Sequence, residues 1–137
     1  LFHFKNETLS LLRNNLSNKD AKGLSNTLAI ILHDGADSDY TDILLQLLDE
    51  KWHISEEDIV VVLELIKAPE SIDKLYEVAV NVPDYDDMRA LAKKCMWALS
   101  AIRTPAAIQK LQLLQCSDDP IIKENATFQL EHVVNKH

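Results

Sequence analysis

The sequence predicts an all-α protein of about eight antiparallel helices stacked as an α-solenoid. Three observations predict it: a composition poor in turn residues, apolar residues recurring at helical spacing between capping residues, and an internal repeat about one helical hairpin long. The 137 residues include only two Gly and four Pro, against 47% apolar and 26% charged residues. That balance is foreign to disordered tails and to turn-rich β-sandwiches. A chain of this length buries roughly 65 to 70% of its unfolded surface, so a single domain over residues 1–137 is expected to fold without disulfides or metal.

The charge balance narrows the partners. Fourteen Lys and Arg face 22 Asp and Glu, a net charge of −8. General affinity for DNA, RNA or anionic lipid depends first on positive charge, so those partners are not expected and a basic one is. The opening Leu1, Phe2, His3, Phe4 is broken at Lys5 and shows no secretory h-region; the absence of an initiator Met reads as a trimmed or processed start. No apolar run exceeds five residues, as at Ile59 to Leu63, far short of a membrane span. Cys95 and Cys116 each fall in an apolar helical pattern without a neighbouring Cys or His. Both are expected to be buried thiols in a reducing compartment, the cytoplasm, with a disulfide as the alternative.

The helices are read in chain order. Leu9, Leu12 and Leu16 form one face of a short helix ending near Ser17, and Leu24, Leu28, Ile31 and Leu32 continue after Asn18 to Asp20 until His33, Asp34, Gly35 stop the chain. Gly23 slightly weakens this second helix. Asp37, Ser38 and Asp39 cap a strong stripe of Tyr40, Ile43, Leu44, Leu47 and Leu48, with Trp52 and His53 in the next connection. Ser55 to Asp58 resembles a capping box before Ile59, Val62, Leu63 and Ile66. Val60 to Val62 also fits a strand, but the apolar spacing runs on through Ile66 and favours a helix. Pro69 starts the next helix, with Ile72, Leu75, Tyr76, Ala79 and Val82 inward, and Pro83 ends it. Asp84, Asp86 and Asp87 lead into what should be the longest helix, with Leu91, Cys95, Ala98, Leu99 and Ile102 on one face. Pro105 opens a helix carrying Ile108, Leu111 and Leu114, and Pro120 opens the last, carrying Ile122, Ala126, Leu130 and Val133.

Self-similarity separates a bundle from a solenoid. Residues 66–75 align without gaps on residues 102–111 at an offset of 36, with five of ten positions identical and Lys67 replaced by Arg103. At an offset of 31, Leu91, Cys95, Leu99 and Ile102 fall on Ile122, Ala126, Leu130 and Val133. The repeating unit is a long helix, a Pro turn, a shorter helix and an acidic turn.

This pattern resembles the HEAT-like repeats, specifically the short bacterial units with an Asp-Pro start, a small residue mid-helix, an Ala-Leu pair and a Pro turn. Asp119, Pro120, Ile122, Lys123, Ala126 and Leu130 carry the first part, and Ala98, Leu99, Ile102, Thr104, Pro105 and Ile108 the second. The resemblance implies a right-handed α–α superhelix, clearest over residues 55–137 and degenerate over 1–54, where atypical capping repeats are expected in a solenoid. It also implies that the shorter helices line a concave face. Their solvent-facing positions would be Thr41, Asp42 and Gln46, then Asp73, Lys74, Glu77 and Asn81, then Gln109 and Gln112, with Tyr76 and Tyr85 bordering either as aromatic anchors or as core or hinge packing. Trp97 is expected to be partly buried against a neighbouring repeat.

No residue set announces a reaction. The five His lack the spacing that places two ligands on one helix face, so no metal, cofactor or catalytic residue is assigned. HEAT-like hydroxylases use His-Glu pairs for iron, whereas this chain has a single Glu131-His132 in reverse order; lyases and basic-faced glycosylases of the same scaffold share no site residue with it. Acidic clusters at 34–39, 56–58, 84–87 and 118–119 precede first helical turns. Capping and dipole compensation explain them, at roughly 0.3 to 1 kcal/mol each; in a stack they would also form an acidic edge that steers a basic partner. The expectation is therefore a protein-binding module rather than an enzyme, contacting its partner through Asp42, Gln46, Asp73, Tyr76, Glu77, Asp84, Tyr85, Asp86, Asp87, Gln109 and Gln112. In size, charge and scaffold it resembles the immunity proteins that neutralise basic bacterial toxins. The alternatives are a scaffold fragment of a longer HEAT protein or a lyase- or glycosylase-like enzyme.

Overall fold

Helical spacing becomes helix throughout. The computed structural model describes residues 4–81, 83 and 86–134, and among them there are eight α-helices and two short 3-10 turns but no strand. The helices are α1 Lys5–Asn18, α2 Ala21–Asp34, α3 Thr41–Leu48, α4 Glu56–Ile66, α5 Ile72–Val80, α6 Ala90–Ile102, α7 Pro105–Gln115 and α8 Pro120–Val134. The Val60 to Val62 run lies inside α4, so the helical reading holds there. Val82 and the chain ends lie outside the described residues. No helix among those described is long and apolar enough to cross a membrane.

The chain falls into two compact units, residues 1–66 and 67–137. In the first, α1 packs on α2 and α3 on α4, while α1 also meets α3 and α2 meets α4. The second repeats the scheme: α5 packs on α6 and α7 on α8, with α5 against α7 and α6 against α8. Short connections make sequential helices antiparallel, so each unit is two hairpins laid side by side. Leu12, Leu24, Leu28, Leu44, Ile59 and Leu63 are fully buried in the first; Leu75, Leu91, Cys95, Met96, Leu99 and Leu111 are at most 1% exposed in the second. Each such Leu contributes roughly 1.5 to 3 kcal/mol of burial.

The first hairpin depends on a close approach. Thr27 on α2 is buried, its hydroxyl 2.8 Å from Asn15 Oδ1 on α1 and 2.9 Å from the Gly23 carbonyl. A Cβ on Gly23 would stand 2.6 Å from Asn15 Nδ2 and would also strike the Asp20 carboxylate, which caps α2 by accepting from the Gly23 N–H. The glycine that looked like a helix weakness is what lets Asn15 and the cap fit.

In the second hairpin of this unit, His53 ties the helices together. The ring is buried; Nε2–H donates to the Leu47 carbonyl at 2.8 Å and Nδ1 accepts from the Ser55 N–H at 3.0 Å. Only a neutral imidazole protonated at Nε2 fills both roles. The last turn of α3 and the first of α4 are thus joined through one side chain. Beside it, Trp52 donates from Nε1 to Glu50 Oε1 at 2.7 Å.

The Pro turn that recurs in the sequence also recurs in the backbone. Lys67 and Arg103, equivalent at the offset of 36, both take left-handed φ values of 59° and 60°. Each is followed by an extended residue, Ala68 or Thr104, and then by Pro69 or Pro105. A left-handed residue ends the helix, and the residue before proline is pushed out of the helical region. The copies then diverge. Thr104 Oγ1 accepts from the Ala107 N–H at 3.2 Å and α7 begins at once at Pro105. Ala68 has no side-chain oxygen to offer; its carbonyl accepts from the Ser71 N–H at 3.0 Å, and a 3-10 turn over Pro69–Ser71 intervenes before α5.

Two expectations are corrected. The helix after the 84–87 acidic run is 13 residues long, shorter than the 15 of α8, because Asp86 and the left-handed Arg89 form a turn before Ala90. Thr41, placed on the solvent face in the sequence reading, is buried at the start of α3.

Gly23→Ala should lower stability despite the helix-propensity gain of about 1 kcal/mol. Thermal unfolding followed by circular dichroism should show a reduced Tm; an unchanged or raised one would mean that α1 and α2 can separate to admit a methyl group.

Candidate functional site

The expected contact residues divide between the two units. Asp42 and Gln46 are exposed on α3 in the first. In the second, α5 and α7 lie together and carry Asp73, Glu77, Gln109 and Gln112 as exposed groups. Lys110 on α7 joins this set to α5: its Nζ lies 4.8 Å from the centroid of the half-buried Tyr76 ring and 3.6 Å from Asp73 Oδ1. Lys74 Nζ sits 3.2 Å from Glu77 Oε1. The structure thus brings Asp73, Tyr76 and Lys110 together, with Glu77, Gln109 and Gln112 exposed on the same pair of helices.

Asp86 departs from the expectation of a surface group. It is 3% exposed, and both its oxygens accept from the Leu91 N–H at 3.2 Å, at the start of α6. Asp87 is exposed, and Asp84 and Tyr85 lie outside the described residues. Two of the other acidic clusters also work as caps: Asp37 accepts from the Asp39 N–H, and Asp119 accepts from the Ile121 N–H at 2.9 Å at the head of α8.

Asp119 does more than cap. Arg89 donates from Nε to its Oδ2 at 2.6 Å and from its guanidinium to the Asp86 carbonyl at 2.6 Å, so one arginine bridges the approaches to α6 and α8. The guanidinium holds the Asp119 carboxyl below its ordinary range, helped by the Ile121 and Ile122 N–H groups and opposed by partial burial. In the first unit, Lys5 Nζ lies 2.8 Å from Asp39 and 3.8 Å from Asp37, which raises its pKa. Burial raises that of the adjacent Tyr40. Lys5, Asp37 and Tyr40 border a cavity of about 150 Å³ that Thr8 and Asp34 also line.

The sequence reading missed a second surface of the 67–137 unit. On α6 and α8, a groove of about 410 Å³ is lined by Met88, Lys93, Ile121, Glu124, Asn125 and Phe128. Met88 is 67% exposed, Trp97 48% and Phe128 43%. Trp97 and Phe128 ring centroids lie 6.4 Å apart, and His132 approaches Phe128 to 4.0 Å. Lys93 and Glu124 do not pair with each other, and Asn125 Oδ1, shielded from solvent, finds no hydrogen-bond partner among the described residues. A signal for this face was present: the offset of 31 that aligned the buried positions also aligns Lys93 with Glu124 and Trp97 with Phe128.

Among the described residues no three His, Cys, Asp or Glu side chains are grouped to hold a metal ion. Cys95 is buried and its thiol is pushed far above the ordinary range by desolvation. Cys116 is exposed, contrary to the expectation of two buried thiols, because it follows α7 and faces outward from the turn. Comparison of the chain with protein-family models, curated proteins and solved structures gives no match.

Asp119 has a depressed folded-state pKa, so its pairing stabilises the fold at pH above the ordinary carboxyl value of 3.8 and loses that effect as pH falls through the depressed value. Asp119→Asn, which keeps a capping oxygen, should lower stability at pH 7 by on the order of 1 kcal/mol or less. The gap to the parent should close below that window in urea titrations at stepped pH; a gap constant from pH 7 to 2 would exclude the Arg89 pairing as its source. Native protein should take up maleimide at Cys116 only, and denatured protein at both thiols. Mass spectrometry reads the difference, and two adducts on the native fold would contradict the burial of Cys95.

Proposed function

We propose that the chain is a protein-binding module of HEAT-like hairpin repeats whose α5/α7 surface receives a basic partner. In its most concrete form it is an acidic immunity-type inhibitor that occludes a basic toxin domain in the cytoplasm. The observation that carries the reading is the exposed set Asp73, Glu77, Gln109 and Gln112 around the Tyr76 and Lys110 contact. Exposed carboxylates and amides on adjacent helices offer a basic partner ion pairing and hydrogen bonds together.

Three further features support it. The side-by-side hairpins and the twin turns at Lys67 and Arg103 fit a repeat array, which offers broad surfaces rather than enclosed volumes. The net charge of −8 accelerates encounter with a basic protein at moderate salt. The exposed Cys116 thiol fits a reducing compartment.

The test is capture of strongly basic proteins from the native host on the immobilised chain, with affinities then measured on the purified partner. Nanomolar or tighter binding that weakens with salt is expected. Combined Asp73→Asn and Glu77→Gln should weaken it by at least about tenfold. A partner bound equally well by this variant would place the site elsewhere, and an acidic partner would defeat the proposal.

A further inference from the structure

We propose that the α6/α8 face docks a second copy of this chain across a two-fold axis running along the groove between the two helices. It involves helices other than α5 and α7, so it stands or falls separately from the binding of a basic partner.

Helix α6 is joined to α7, and α7 to α8, by short connections, so α6 and α8 run parallel. The offset of 31 then fixes height. Lys93 and Glu124 occupy equivalent positions on the two helices, and one turn further along Trp97 and Phe128 do the same. Both levels border the same exposed groove.

A half-turn about an axis lying along that groove exchanges α6 for α8 without changing height. Lys93 then opposes Glu124 of the second copy, and Glu124 opposes its Lys93. Trp97 likewise opposes Phe128 of the second copy, twice over. A two-fold interface requires each contact to recur with the residues exchanged, and these four positions meet that condition. The charge on one wall is the complement of the charge on the other, and neither is engaged with a described residue. Beside them lies the apolar surface of Met88, Trp97 and Phe128, each at least 43% exposed.

Sedimentation equilibrium of the full chain at physiological salt, over roughly 1 μM to 1 mM, measures the association. A reversible monomer–dimer equilibrium is expected. Lys93→Glu and Glu124→Lys should each weaken it by at least about tenfold, because symmetry makes one substitution create two like-charge contacts. The double variant should restore it. Net charge alone predicts otherwise, since Glu124→Lys makes the chain less acidic and would tighten association. A second reading comes from Trp97 emission in a Trp52→Phe background, which should move to the blue as concentration rises. Four results would overturn the proposal: a monomer throughout the range, tighter association of Glu124→Lys, failure of the double variant to restore the dimer, or an emission maximum that stays fixed. A monomer throughout would leave the face to an unlike partner.

Discussion

Among the described residues no helix exceeds 15 residues and α3 has only eight, lengths at which an isolated helix is marginal in water. Every element therefore depends on burial against its neighbours, and that dependence organises the rest. A stripe at three- and four-residue spacing covers one side of a helix; in each unit a helix meets both its hairpin mate and its counterpart in the other hairpin. Ala92, Ala98 and Ala126 are at most 1% exposed at such crossings, where small side chains allow close packing. The folding unit is the pair of hairpins rather than the helix.

With packing shared so widely, the connections decide direction. Lys67 and Arg103 share the same left-handed backbone after a helix end, and proline sets the start of the next helical segment. At the other end of the second unit, Asp86, Arg89 and Asp119 join the approaches to α6 and α8 in one polar knot. Buried capping carboxylates of this kind serve the fold first. The acidic character of the sequence is accordingly split between groups consumed as caps, such as Asp86, and groups left to solvent, such as Asp73 and Glu77.

The helices were legible because their signals are local: spacing, caps and Pro positions within one or two turns. The Pro-turn repeat was legible because identity at five of ten positions reflects one backbone path. The contact face was only partly legible. Asp73 and Glu77 are exposed as their register implied, whereas Asp86 and Thr41 turned inward because a cap and a 3-10 lead-in, respectively, shifted where their helices begin. Cys116 shows the same limit, since an apolar setting in sequence does not say which way a post-helical residue points. The α6/α8 groove escaped because periodicity arguments track the inward stripe, and Trp97 with Phe128 sits on the opposite side of the repeat.

The buried contact between Thr27 and Asn15 has a consequence for specificity. Leucines along α1 and α2 are interchangeable knobs, and an all-apolar seam would tolerate slippage by a helical turn at modest loss. The amide does not tolerate it: displaced by 5.4 Å, one turn, Asn15 Oδ1 would lose the Thr27 hydroxyl and be left dry and unpaired among hydrocarbon, a penalty of roughly 1 to 3 kcal/mol, while Thr27 would keep only its bond to the Gly23 carbonyl. With only a gap the width of a glycine to receive the amide, the two helices have a single alignment, and the first hairpin works as a keyed joint rather than a sliding one.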